Sequence, residues 1–163
     1  MSSLKLHDRT RPVRMLAPHR GLRAAQFSFA VFYLSMAWGV NFLNVLPQAR
    51  EAMLGFAQDA WLPIYHDVLE AVVVPHATTV LLATIVFETA LGLALLARST
   101  RLAALAMLGG AAWYIGLLPV LTWPHIAVMP PLIAAQLWLF LRFRRLSRTQ
   151  PHPGWRPPDS VSV

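Results

Sequence analysis

From Thr78 to Ala97 the chain runs twenty residues with a single charge, Glu88. Roughly 20 apolar residues in a helix are what the hydrocarbon core of a bilayer requires, so this run predicts a membrane-crossing helix. A carboxyl group near the middle of such a helix must be neutralised or paired, and one that is retained marks a functional site by default. Glu88 therefore sets both the fold expected of the chain and the place to look for its chemistry.

The rest of the chain repeats the pattern. Hydrophobic residues make up 56% and charged residues 13% of 163, against about 25% charged in soluble domains. That deficit, with three more apolar runs, predicts an all-α integral membrane four-helix bundle with spans at 24–46, 76–97, 102–121 and 126–141. A three-span form with 126–141 re-entrant is the alternative. Residues 1–23 read as a basic cytoplasmic tail, and 142–163 as a second tail, basic and then proline-rich. Pro47 marks the exit of the first span. Residues 48–75 form the long outer loop, in which Pro63–Val74 is expected as a short interfacial helix that Pro75 ends. Pro130-Pro131 is expected in the first turn of the last span, where missing amide donors cost least.

Charge sets the orientation. The first tail, the Arg98/Arg101 turn and Arg142, Arg144, Arg145 and Arg148 fall on one side of a four-span arrangement. The other side has only Arg50, against Glu51, Asp59, Asp67 and Glu70. The positive-inside rule then puts both termini in the cytoplasm. This topology accounts for the net charge of +7 and removes the need for a nucleic-acid partner. The absence of cysteine excludes disulfide scaffolds, thiol redox relays and cysteine–zinc sites. No phosphate-binding loop, dinucleotide fingerprint, His-Glu-x-x-His or nucleophile elbow is present. Polar groups within the spans are too few for a selectivity filter.

Glu88 lies about nine residues from the cytoplasmic end of its span, roughly 13 Å deep at about 1.5 Å per residue. Matching depth on the other spans makes Tyr33, Ser35, Trp113 and Tyr114 its candidate partners, with Thr84 one turn away on its own helix. Three roles are open to it: a structural hydrogen-bond donor, a proton carrier at a ligand site such as one for quinone, or a step on a transport path. A second, outer set comprises Asn41, Asn44, His66, Glu70, His76 and His125. His66 and Glu70 share a face if 63–74 is helical. Their spacing matches no metal motif, so no metal is assigned. Small residues at Ala90/Ala94, Glu88/Gly92, Gly109/Gly110 and Gly116 suit close helix approach, as helices in lipid associate through such contacts. They leave the oligomeric state open.

The segment Trp61-Leu-Pro-Ile-Tyr-His-Asp-Val-Leu-Glu-Ala-Val-Val-Val-Pro75, followed by Phe87-Glu-Thr-Ala-Leu-Gly-Leu-Ala-Leu-Leu96 and Thr100-Arg-Leu-Ala-Ala-Leu105, resembles the DoxX family of small four-helix membrane proteins, including its DoxD-like relatives. The residues that carry the likeness are Pro75, Glu88, Gly92, Thr100 and Arg101. Two positions differ: Phe87 stands where a glycine is common, and Gly39-Val-Asn41 is neutral where a basic residue often follows. The resemblance implies four spans, cytoplasmic termini in a bacterial inner membrane, and an accessory or anchor role beside a redox enzyme that uses quinone. A stand-alone small-molecule binding protein or a permease is the alternative.

Overall fold

The computed structural model describes residues 18–149, and every regular element among them is helical. Helix α1, Pro18–Leu34, passes without interruption into a π-helical stretch, Ser35–Val45, and a 3-10 turn, Leu46–Gln48. Helices α2, Ala49–Asp59, and α3, Pro63–Val68, follow. A second π-helical stretch, Leu69–Val73, and a 3-10 turn, Val74–His76, lead into α4, Ala77–Leu96. Helix α5 is Thr100–Leu117 and α6 is His125–Thr149. Four helical runs, Arg20–Asp59, Pro63–Leu96, Thr100–Val120 and His125–Ser147, are long and apolar enough to cross a membrane.

Each long helix buries one face and exposes apolar residues on the other. On α1 and the stretch that continues it, Gln26, Ala30, Tyr33 and Ala37 are buried, at the i, i+4, i+7, i+11 spacing of one helix side. On α4 the buried face is Leu81, Ile85, Glu88 and Leu95, while Val86 and Leu93 remain more than half exposed. Exposed Leu and Val in such numbers suit a lipid surround, where apolar atoms need no cover. Helix α1 packs along α4 and α5 along α6, with α4 bordering α5. Gly92 makes the first of these contacts possible: a Cβ there would lie 2.7 Å from Leu34 Cγ. By contrast, Gly116 faces open space and Ala90 is exposed, so those small residues do not bring helices of this chain together.

Gln26 fastens the α1–α4 pair at one end. Its buried amide donates to the carbonyls of Leu95 and Ala97, which lack helical donors at the end of α4. Arg23 bonds Gln26 Oε1 at 3.2 Å and the Arg98 carbonyl at 3.3 Å. Ser99 then caps α5 by accepting from the Leu102 amide.

Several boundaries differ from those expected of the sequence. Residues 18–23 and 142–149, expected within the two tails, are helical and continue α1 and α6; arginine is a good helix former. The remainder of both expected tails lies outside the described residues. The outer loop contains an unforeseen helix, α2, whose Ala49, Met53 and Ala57 are buried. Pro75 does not stop the chain's helical course: a 3-10 turn takes up the missing amide, with Pro75 in its first turn. Pro130 and Pro131 lie inside α6 rather than in its first turn. The Pro63–Leu96 run is 34 residues, about 51 Å at 1.5 Å per residue, whereas the hydrocarbon core is about 30 Å thick. Its polar opening with His66, Asp67 and Glu70 therefore falls outside the apolar span.

Candidate functional site

Glu88 is 2% exposed and sits on the inward face of α4, with Ile85 and Leu91 to either side of it in the core. A buried carboxyl needs hydrogen-bond partners. Among the described residues its side-chain donor is Asn41, whose Nδ2 lies 2.7 Å from Glu88 Oε2. That is within the ordinary range of an N–H···O hydrogen bond. A carboxylate can accept about four hydrogen bonds, so lone pairs remain for a proton or a ligand.

Asn41 was expected in the outer set, at a different depth. The π-helical stretch accounts for the change. In a π-helix each amide bonds five residues back, so more residues fit into each turn and each advances less along the axis. The Leu46 amide bonds the Asn41 carbonyl, five residues back, and Asn44 Nδ2 bonds the Gly39 carbonyl at 2.5 Å. This winding holds Asn41 beside Glu88. Nothing in an apolar run signals such a stretch in advance.

The expected partners of Glu88 are otherwise engaged. Thr84 Oγ1 bonds the Val80 carbonyl of its own helix at 3.1 Å. Ser35 is exposed. Tyr33, fully buried, donates from Oη to Gln136 Oε1 at 3.0 Å. Tyr114 stacks on Tyr33 with ring centroids 6.2 Å apart and planes 23° apart, and Phe32 meets Tyr33 edge-on at 5.6 Å. Trp113 packs on Phe87 at 5.3 Å. The structure thus brings Tyr33 and Tyr114 together on the inward side of the helices, and neither hydrogen-bonds the Glu88 carboxyl.

Gln136 joins the site without having been singled out in the sequence. It is fully buried on α6, on the face shared by Ile133, Leu139 and Phe143. That spacing and a lone amide in an apolar run were the available signal. Gly110 on α5 makes room for it: a Cβ at that position would collide with Tyr33 Oη and lie 2.6 Å from Gln136 Oε1. Among the described residues, four buried polar atoms have no hydrogen-bond partner: Gln136 Nε2 of this pair, Tyr114 Oη of the ring stacked on Tyr33, and Trp113 Nε1 and Thr89 Oγ1 elsewhere on α5 and α4. The Trp113 Nε1–H can only donate. Buried groups of this kind are rare enough that each calls for a ligand, a water or a functional role.

The outer histidines do not gather. His66 Nδ1 is 2.8 Å from the Ala57 carbonyl, and its Nε2 is 3.6 Å from Glu70 Oε2. The Ala57 carbonyl, and after it the Glu70 carboxylate, hold the His66 pKa above its ordinary value. His76 and His125 are exposed. No three His, Asp or Glu side chains come within reach of one metal ion among the described residues. Trp61 ties the α2–α3 link to the end of α5, donating from Nε1 to the Leu118 carbonyl at 3.2 Å and from its backbone amide to the Pro119 carbonyl at 3.1 Å.

No family model matches the chain, nor does any curated protein or solved structure.

Proposed function

We propose that this chain is a DoxX-like integral protein of the bacterial cytoplasmic membrane. Its four long helices cross the bilayer as a bundle with both termini in the cytoplasm. It acts as an accessory or anchor subunit that joins a redox enzyme to the quinone pool. Support for the topology is the charge distribution: Arg20 and Arg23 lie near the start of α1, Arg98 and Arg101 at the α4–α5 turn, and Arg142, Arg144, Arg145 and Arg148 toward the end of α6, while Glu51, Asp59, Asp67 and Glu70 belong to α2 and the run before α4.

One observation carries the functional reading: a buried carboxyl with a single amide partner stands near buried phenol and amide donors that have no acceptor. A quinone head group presents carbonyl oxygens that accept such bonds and exchanges protons when reduced or oxidised. Glu88 supplies a group able to hand over a proton. Tyr114 and Gln136 supply donors for a carbonyl. The segment 48–75, with α2 and α3, forms the docking surface for the partner.

Purification in mild detergent with mass spectrometry of co-purifying chains tests the accessory role, and an oxidoreductase in fixed ratio is expected. Titration with a short-chain quinone tests the site: binding should vanish in Glu88→Ala and survive His66→Ala. A second reading, a self-contained small-molecule binding protein or permease, draws on the fact that Tyr33, Gln136 and Glu88 are all buried within one chain and need no partner to complete the site. A solitary protein that moves solute into proteoliposomes would select it.

A further inference from the structure

The outward face of α6 changes character along its length. Leu137, Trp138 and Leu141 are exposed, and Arg142 and Arg145 continue the same face, also exposed. Positions 138, 141, 142 and 145 follow the i, i+3, i+4, i+7 pattern of one helix side. The Arg142 guanidinium lies over the Trp138 ring, 5.2 Å from its centroid. Arg144 does the same over Phe140 at 6.0 Å. A ring contact of this kind does not use up the guanidinium's N–H donors.

No carboxylate of the described residues stands at this end to use those donors. The acids are Glu51, Asp59, Asp67, Glu70 and Glu88, and the ion pair His66–Glu70 is at the opposite end. The anion must therefore come from outside these residues. Arginine edges match phosphate in a bidentate manner. The exposed Trp138, Leu141 and Leu137 directly beside them suit an apolar tail on the same molecule. A soluble anion would use the arginines and leave the apolar half of the stripe unused.

We propose that the Leu137–Arg145 face of α6 is a binding site for an anionic phospholipid, its phosphate on Arg142 and Arg145 and an acyl chain along Trp138 and Leu141. The site is separate from Glu88 and rests only on the membrane reading above.

The test uses the full chain in nanodiscs of equal parts phosphatidylcholine and phosphatidylglycerol, followed by native mass spectrometry of the lipid retained. Phosphatidylglycerol should be retained preferentially. Removing one arginine should weaken that preference on the order of fivefold, and the Arg142→Gln/Arg145→Gln pair roughly 25-fold, as follows from the typical contribution of one basic residue at an anionic surface. Arg20→Gln, at the same end but on another helix, should change it little. Both replaced side chains are exposed, so the variants keep their fold. Equal retention of the two lipids, or a preference that survives the double substitution, overturns the proposal. So does loss of the phosphatidylglycerol preference when inorganic phosphate is added, or a dimer that covers the stripe and excludes lipid. Recovery of the chain in the aqueous fraction without detergent would instead overturn the membrane reading itself.

Discussion

The apolar interior has two parts, built differently. In the first, around Ala30, Tyr33, Leu91, Ala103, Met107, Tyr114, Ile133 and Phe143, all four long helices contribute. In the second, around Ala37, Met53, Val74, Leu81 and Ile85, only α4 and the elements of the first half of the chain contribute. Helices α5 and α6 add no buried residue to it. The first part encloses a neutral hydrogen bond, Tyr33 to Gln136, held by a glycine with no room for a Cβ. The second ends at Glu88, where α4 passes from Ile85 to Leu91 and where the partner residue comes from a π-helical stretch. The neutral pair is enclosed by residues of all four long helices, whereas the carboxyl at the seam has one side-chain partner among the described residues.

The largest expected effect breaks the first part. Gly110→Leu forces a side chain into the Tyr33–Gln136 contact, and overpacking of this kind costs about 1–3 kcal/mol. Unfolding in a denaturing-detergent titration should register a loss at the upper end of that range. Gly39→Ala, where a Cβ meets nothing within 4 Å, should leave stability unchanged or improve it slightly. Next comes Tyr33→Phe. It leaves the Gln136 amide oxygen buried without a donor, a loss of about 1–3 kcal/mol. Combining it with Gln136→Leu should recover most of that loss, and a double variant no better than the single one would show that the pair is not an isolated unit.

Glu88→Gln sharpens the contrast. Its amide oxygen still accepts from Asn41, so stability should change by less than about 1 kcal/mol, while any proton uptake coupled to quinone reduction should be lost. A stability loss as large as that of Tyr33→Phe would make Glu88 another packing group and erase the distinction. The smallest effect is at His66. Because its folded pKa is raised, its stabilising contribution is complete below the ordinary imidazole value of 6.5 and disappears as pH rises through the raised folded value. Melting of His66→Ala and the unaltered chain should differ slightly in the acidic range and coincide in the alkaline range.

Much of this fold was legible because long uncharged runs have one outcome, a helix. Arg98, Arg101 and Trp123-Pro124 bracket α5 plainly. Glu88 was legible for the same reason, as the lone charge in its run. Helix α2 was missed because Pro47 suggested the exit into a loop, although Ala49, Met53 and Ala57 recur at helical spacing. Pro75 misled because proline bars the preceding residue from ordinary helix, whereas a 3-10 turn absorbs it. The Asn41–Glu88 bond was out of reach: depth matching assumes α-helical rise, and a π-helical stretch alters that rise with no compositional mark. Gln136 was within reach, since an amide placed alone on the apolar Ile133–Phe143 face must find its partner inside the bundle.

Helix α6 has a consequence for how the chain is made. Pro130 and Pro131 carry no amide hydrogen, so the carbonyls of Ile126 and Ala127, four residues back, have no helical donor, and Gln136 adds an amide further along. On the membrane reading, such a segment is a poor candidate to enter lipid alone. Its most extensive neighbour, α5, is the helix synthesised just before it, and Gly110 of α5 provides the place where Gln136 meets Tyr33. On the membrane reading, the two helices enter lipid as a hairpin, and only after α1 has been anchored to receive them. A ribosome stalled between Leu121 and His125 would hold an unfinished protein whose Tyr33 still lacks its partner, because Gln136 has not yet been made.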